Sequence, residues 1–170
     1  MSTATETLAS GGPAVNVKKV AVIGGGTMGN GIAQVFVTNG YDVRLQDQSE
    51  AQLAKAEASI AEGLGRLVAA GRITSAEAAA APGRISLTSS LPEAVRDADV
   101  VIEAVTENID VKRAIFAELD VHAPRHAILA SNSSTFMPSL MAAATSRPEQ
   151  VLVAHYFNPP HLLPLVELVR

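Results

Sequence analysis

Residues 17–29 read VKKVAVIGGGTMG, and this stretch decides the predicted fold. Its first part, 17–23, is a short apolar run that predicts a buried strand. Gly24, Gly26 and Gly29 then occupy the first, third and sixth positions of a G-x-G-x-x-G pattern, and a helical pattern follows. The segment therefore predicts a strand, a glycine-rich turn and a helix in direct succession.

The rest of the chain continues to alternate short apolar strands with amphipathic helices. Later strands are predicted at residues 41–46, 84–88, 99–105, 127–130, 151–157 and 165–169. Helices are predicted at residues 50–70, 75–81, 91–97, 110–122 and 136–144. This order is typical of a doubly wound α/β fold of the Rossmann type with a mostly parallel sheet. Ligands of such sheets bind at the carboxyl ends of the strands, so residues directly after strands are the functional candidates.

Length and composition limit the remaining choices. The 170 residues suit one domain, predicted at 17–170 and preceded by a disordered tail at 1–16. Cysteine is absent, and the histidines outside the strands show no ligand spacing, so no metal is expected. The net charge of −4 and the lack of a long apolar run argue against nucleic acid and membrane partners. Without a signal-peptide layout at the N-terminus, a cytoplasmic location is expected.

The glycine-rich turn has the layout of a phosphate-binding loop. Gly24 would allow the tight turn, Gly26 would let a pyrophosphate approach the backbone, and Gly29 would let the helix pack on the strand. Thr27 and Met28 lie between them, at the start of the helix. A helix N-terminus offers free N–H groups and a positive dipole end to phosphates. The sequence therefore predicts a dinucleotide site here.

Asp47 ends the second predicted strand, 18 residues after Gly29. Its carboxylate can accept hydrogen bonds from both ribose hydroxyls of an adenosine, and its charge would repel a 2′-phosphate. No arginine or lysine directly follows it, so NAD is the expected cofactor rather than NADP. The alternative is a glycine-rich turn with an incidental aspartate.

His155, near the end of a predicted strand, is a candidate acid/base residue. Asn158 follows within reach of a substrate oxygen, and Glu167 lies on the next predicted strand. A carboxylate in an apolar strand is costly unless it is partnered, and a His–Glu pair is a general acid/base device. The alternatives are a core histidine and a solvated edge position for Glu167.

Two polar segments after strands have two interpretations each. Residues 131–134 read SNSS, whose hydroxyls either point at a substrate carbonyl or, at Ser134 or Thr135, cap the next helix. Glu107 and Asn108 either contact the nicotinamide half of a cofactor or simply begin a helix. The residues alone leave both questions open.

The chain resembles the NAD-binding domain of the 3-hydroxyacyl-CoA dehydrogenases, including the bacterial 3-hydroxybutyryl-CoA type. The resemblance covers about Val17 to Arg170. It rests on the segments VAVIGGGTMGNGIAQVF, VRLQDQS, ADVVIEAVTENIDVKRAIFAELD, ILASNSSTFMPS and HYFNPPHLLPLVELV.

The resemblance implies a chemistry and a role for four side chains. The reaction would be reversible oxidation of a 3-hydroxyacyl-CoA to the 3-oxoacyl-CoA, with hydride passing from substrate C3 to nicotinamide C4. His155 would be the catalytic base, and Glu167 would compensate its charge. Ser134 and Asn158 would hydrogen-bond the reacting oxygen. Fatty acid metabolism is the implied setting.

The resemblance also implies cofactor contacts. Glu107 and Lys112 would lie along the NAD site, and Asp47 would bind the adenosine ribose. Without turnover, the same contacts would make the chain a stand-alone NAD-binding module.

The substrate-binding positions depart from the family. Members that bind acyl-CoA carry serine and lysine on the helix after the second strand, where this chain has Gly63 and Ala70. Arg66 or Arg72 would have to supply the positive charge toward the CoA phosphates. The last segment is also similar to dehydrogenases of small 3-hydroxy acids such as carnitine or gulonate, which leaves a free acid as the alternative substrate.

The resemblance implies a following all-helical domain that closes the substrate cleft and forms the dimer, and we expect no such domain within these 170 residues. The sequence stops at Arg170, directly after the apolar run 162–169. We therefore expect this end to be a docking surface for a helical partner domain or for a second copy of the chain.

Overall fold

The computed structural model describes residues 16–170, so the tail predicted at 1–16 lies outside the described residues except for Asn16. Seven strands within this range form one sheet: β1 (Lys19–Ile23), β2 (Asp42–Gln46), β3 (Ile85–Thr88), β4 (Val100–Glu103), β5 (Ile128–Ser131), β6 (Val151–Tyr156) and β7 (Val166–Val169). Their order across the sheet is β3-β2-β1-β4-β5-β6-β7. The strands β1 to β6 are parallel, and β7 runs antiparallel to β6. The predicted mostly parallel, doubly wound sheet is confirmed.

Helices follow most of the strands. They are α1 (Thr27–Thr38), α2 (Glu50–Ala69), α3 (Ser75–Ala80), α4 (Leu91–Val95), α5 (Ile109–His122) and α6 (Pro138–Ala142), with 3₁₀ turns at Ala81–Arg84 and Pro148–Gln150. Side chains of Ser49 and Asn108 start the two longest helices, because each accepts a hydrogen bond from backbone N–H groups of the first turn. Asn108 thus caps α5, as one of the two sequence interpretations predicts.

The central strands of the sheet are buried on both faces, as a parallel sheet requires, whereas the edge strand β7 is exposed. Alternate residues of β1 point to opposite sides, so Val22 packs in the layer under α1 and α2. Ile23 packs in the other layer with Phe116 and Leu129. No helix of the described residues is both long and apolar enough to cross a membrane.

Helix α5 turns a different face to the core than its simplest apolar repeat suggests. Val111, Ile115 and Leu119 recur four residues apart, yet the buried side chains are Lys112, Phe116 and Leu119. Val111 is 39% exposed because its side of the helix lines a cleft. An amphipathic helix beside a ligand cleft therefore carries apolar residues on two adjacent faces.

The chain reverses its direction across the sheet between β1 and β4. From β1 the order runs outward through β2 to β3 on one side, and from β4 through β5 to β6 on the other. This arrangement opens a crevice at the carboxyl ends of β1 and β4. All the candidate residues discussed below lie along that edge or directly behind it.

Candidate active site

The glycine-rich turn is closely packed at two positions. Gly24 has a φ of +102°, and a Cβ there would lie 2.7 Å from the Ala104 carbonyl oxygen. A Cβ on Gly29 would lie 1.7 Å from the Gly24 carbonyl oxygen. Only glycine fits either position, and the turn delivers the chain directly into α1.

Gly26 serves a different purpose, because it faces open space. A Cβ placed there would have no heavy atom within 4 Å, and the residue lines a cleft of about 750 Å³. It is also the N-cap of α1, where backbone N–H groups and the positive end of the helix dipole favour an anion. The residues present therefore fit the pyrophosphate of a dinucleotide.

The Asp47 carboxylate is held in place at the wall of this cleft. Its Oδ2 atom accepts a hydrogen bond of 2.9 Å from the Gly25 N–H, and its Oδ1 atom accepts one of 2.9 Å from the Ser49 N–H. Each carboxylate oxygen keeps acceptor capacity for a ligand hydroxyl. The side chain thus links the glycine-rich turn to the start of α2.

A smaller cleft of about 360 Å³ adjoins the first. Ala104 and Val105, directly after β4, line both clefts, so the two form one trough across the crevice. The smaller cleft brings together six residues singled out from the sequence: Met28, Glu107, Lys112, Ser134, His155 and Asn158. Gly24, Gly26 and Asp47 line the larger cleft. Thr27 begins α1, and Gly29 is buried behind the turn.

His155 and Glu167 face each other across the β6–β7 pair. They are direct partners in the antiparallel register, and His155 Nδ1 lies 3.3 Å from Glu167 Oε2. The Phe157 ring packs against the imidazole with centroids 4.7 Å apart. The Glu167 side chain is 62% exposed, so it is an edge residue and a histidine partner at once. The two sequence interpretations of Glu167 are therefore compatible.

The serine–asparagine loop after β5 is shaped by its own side chains. The Ser133 hydroxyl accepts a hydrogen bond from the Phe136 N–H and donates one to Glu107. The Asn132 Oδ1 atom accepts one of 2.8 Å from the Tyr156 N–H. These bonds fix the loop between β4 and β6 and leave Ser134 exposed at the rim of the smaller cleft.

The helix-capping interpretation of this loop is wrong. Helix α6 begins only at Pro138, and the residue before it, Met137, provides no side-chain cap. Proline suits the first helical position, because the N–H that it lacks is unpaired at any helix start. Ser134 and Thr135 therefore lie outside the helix.

A buried carboxylate that the sequence reasoning passed over lies behind the smaller cleft. Glu103 ends β4 and is wholly buried, and its two carboxylate oxygens lie 2.8 and 3.0 Å from Lys112 Nζ. It also accepts hydrogen bonds from the Ser131 hydroxyl and the Val105 N–H. The signal was available in the sequence, since a glutamate in the apolar run of β4 needs a partner as much as Glu167 does.

Glu107 connects this buried pair to the loop. Its Oε2 atom lies 3.3 Å from Lys112 Nζ, and its Oε1 atom accepts hydrogen bonds from the hydroxyls of Ser133 and Thr135. Partial burial raises the pKa of Glu107, but these hydrogen bonds and the Lys112 ammonium outweigh it and hold the pKa below its usual value. Glu107 is therefore a carboxylate anion at neutral pH.

Comparison with known proteins identifies the family. The model for the 3-hydroxyacyl-CoA dehydrogenase NAD-binding domain matches residues 19–170. The chain belongs to this family. The expected cofactor, NAD, agrees with that assignment. Among residues 16–170, no group of three or more His, Asp or Glu side chains is placed to hold a metal ion.

Individual relatives support the same family assignment. The chain is 43% identical over 155 residues to a 3-hydroxybutyryl-CoA dehydrogenase of Mycobacterium tuberculosis, covering 91% of this chain and 54% of the relative. The solved structure of the Escherichia coli 3-hydroxybutyryl-CoA dehydrogenase is 37% identical with a TM-score of 0.86, and the match covers 90% of this chain and 32% of that one. The match to a fatty acid oxidation complex subunit alpha of Pseudomonas savastanoi is 43% identical and covers 92% of this chain and 22% of the relative. The chain thus spans about half, or less, of the length of these relatives.

Proposed function

We propose that this chain takes part in the reversible NAD-dependent oxidation of a 3-hydroxyacyl-CoA to the 3-oxoacyl-CoA. The observation that supports this best is His155, which is paired with Glu167 and lines the same trough as the glycine-rich turn. Hydride transfer needs a base beside the cofactor, and the trough offers one. Loss of NADH absorbance with acetoacetyl-CoA as substrate tests the reaction in the reverse direction.

Four side chains would share the chemistry. NAD, when bound, supplies the two-electron acceptor. With Nδ1 turned to Glu167, His155 keeps Nε2 for the substrate hydroxyl proton, and Glu167 stabilises the imidazolium that results. Ser134 and Asn158, at the rim of the same cleft, would donate hydrogen bonds to the reacting oxygen.

The remaining predicted site residues would hold the cofactor. Gly24, Gly26 and Gly29 shape the phosphate-binding turn, with Thr27 and Met28 at the start of α1. Asp47 would bind the adenosine ribose. Glu107 would lie beside the nicotinamide half, and Lys112, which is buried, would support Glu107 from behind.

The cofactor preference gives the first test. Asp47→Asn keeps one acceptor oxygen, gives up one of the two hydrogen bonds from the Gly25 and Ser49 N–H groups, and removes the charge that would repel a 2′-phosphate. We expect the ratio of the NADPH to the NADH dissociation constant to fall about tenfold, because one like-charge contact is removed. The chain has no tryptophan, so the fluorescence of the reduced cofactors themselves can report the titration. An unchanged ratio would show that Asp47 does not select the cofactor.

A free 3-hydroxy acid is the second candidate substrate, and one observation favours it. A Cβ on Gly63 would lie 2.3 Å from the Oε1 atom of Gln34, a buried side chain, so this position faces α1 and a larger residue there would have to displace Gln34. Arg66, one of the two arginines that could replace the missing charge, pairs with Glu62 at 2.5 Å. Parallel assays with 3-hydroxybutyryl-CoA, carnitine and gulonate separate the two candidates. Turnover of the CoA ester alone would exclude the free acid.

We also propose that a helical domain, matching the part of the relatives that this chain does not span, packs on an apolar strip at the end of the chain. The strip consists of exposed side chains along β7 and the loop before it: Leu162, Leu163, Leu165, Val166, Leu168 and Val169. Leu168 alone is 69% exposed, and β7 is the edge of the sheet. Exposed apolar patches of this kind mark interaction sites, and a second copy of the chain is the competing occupant.

Fusion to the half of a relative that this chain does not span tests this surface. Joining the chain to the second half of the M. tuberculosis relative should raise acetoacetyl-CoA reduction by at least about tenfold, because the cleft gains its second wall. Leu168→Asp should remove that gain while NADH binding stays unchanged, since Leu168 lies outside both clefts. A chain that forms dimers and is fully active without the fusion would favour the second copy instead. NADH binding without turnover in either form would leave a stand-alone NAD-binding module.

A further inference from the structure

Three charged groups form a cluster on one wall of the smaller cleft. Lys112 Nζ lies 2.8 Å from Glu103 Oε1 and 3.3 Å from Glu107 Oε2. The side chains of Lys112 and Glu103 are 1% and 0% exposed, whereas that of Glu107 is 40% exposed. The cluster therefore shows only one of its members, Glu107, to a ligand.

The charges of this cluster do not cancel. One ammonium stands against two carboxylates, and Glu103 already receives the ammonium on both of its oxygens. The excess negative charge is therefore placed on Glu107, at the open side of the cluster. The Ser133 and Thr135 hydroxyls bind Glu107 but add no charge.

Few other groups lining the smaller cleft can offset this charge. Of the described residues there, His155 is the remaining one with a basic side chain, and its Nδ1 atom already faces the Glu167 carboxylate. Burial raises the pKa of Tyr156 to about 12, so its phenol stays neutral. Any ligand in the smaller cleft thus meets a net negative wall on the β4–α5 side.

We propose that Glu107 makes this site discriminate between the two oxidation states of the cofactor, favouring the cationic nicotinamide ring of NAD⁺ over the neutral ring of NADH. The inference rests on the proposed function, which requires the nicotinamide to lie beside His155 and hence in the cleft that Glu107 lines. The ring loses its positive charge on reduction, whereas the rest of the dinucleotide is unchanged. A carboxylate beside it therefore acts on one form only.

If Glu107 had only a structural role, its loss would affect the binding of NAD⁺ and NADH differently from the way proposed here. If Glu107 only held the serine–asparagine loop, its loss would weaken both forms of the cofactor by the same factor. Glu107→Gln separates the two roles, because the amide oxygen still accepts the Ser133 and Thr135 hydrogen bonds while the charge is gone. Since the side chain is part-exposed, the variant should fold.

The experiment is a set of calorimetric titrations of the wild-type chain and Glu107→Gln with NAD⁺ and with NADH. We expect the NAD⁺ dissociation constant of the variant to rise about tenfold relative to that of NADH. High salt should shrink this difference, because the charge is part-exposed. The control Glu57→Gln removes an exposed carboxylate of α2 that lines neither cleft, and its ratio should equal that of the wild type.

Each outcome decides the matter. A ratio of the NAD⁺ to the NADH dissociation constant that rises in Glu107→Gln alone supports the inference, and a ratio that falls overturns it. Binding of both forms with an unchanged ratio, or an equal loss of both, overturns the inference and leaves the proposed function standing. Failure of the wild-type chain to bind either form overturns the proposed function, and the inference with it.

Discussion

His155→Gln is expected to lower acetoacetyl-CoA reduction by about a thousandfold while leaving NADH affinity unchanged. Glutamine has a similar size but cannot take up or release a proton, and a positioned general base contributes about 10²–10⁴-fold to the rate. NADH should still bind, because its affinity comes from the glycine-rich turn and Asp47. The measurement pairs a rate assay, with the chain alone or fused to a relative's second half, with an NADH titration.

The structure supplies a matched control for this variant. His126 Nε2 lies 3.2 Å from Asp99 Oδ1, a histidine–carboxylate pair much like that of His155 and Glu167. It precedes β5 and so lies at the opposite end of the sheet from the trough. His126→Gln should leave the rate unchanged. A fully active His155→Gln variant would show that His155 is only structural.

Gly29→Ala is expected to cost about 3 kcal/mol of unfolding free energy, and to remove NADH binding. The added methyl group would lie 1.7 Å from the Gly24 carbonyl oxygen, which is backbone and has no rotamer to change. The turn and the start of α1 would have to separate, and both the packing and the anion site would be lost. Thermal unfolding and an NADH titration measure the two effects.

Gly26→Ala is the control within the same turn. A Cβ at Gly26 meets nothing within 4 Å, so stability should stay within about 0.5 kcal/mol of the wild type. NADH binding should nevertheless weaken, since the methyl group would occupy the space left for the pyrophosphate. A stable Gly29→Ala variant, or a Gly26→Ala variant with normal NADH affinity, would contradict this account of the turn.

The sequence was most informative where local pattern and function coincide. The glycine-rich turn, Asp47 and the strand–helix alternation are local signals, because each depends on neighbours within a few residues. The pairing of His155 with Glu167 was predictable because both lie on consecutive strands. Its closeness follows from the antiparallel register of β6 and β7, which places the two residues directly opposite each other.

The cluster of Glu103, Lys112 and Glu107 shows what local reading misses. The family resemblance places Lys112 along the NAD site, yet its ammonium is buried against Glu103, a residue of the apolar strand β4. The apolar pattern of α5 does not indicate that Lys112 is buried, because its most regular apolar repeat begins at Val111, on the cleft side. A charged residue at the centre of a buried helix face is recognised only when its partner on another element is known.

We expect the trough along β1 and β4 to bind NAD without a second domain. Calorimetric titration of the wild-type chain with NADH tests it most directly, since binding needs neither substrate nor a second domain. We expect one NADH to bind per chain in a saturable way, with an affinity that Gly26→Ala lowers. Absence of any binding at millimolar NADH would contradict it.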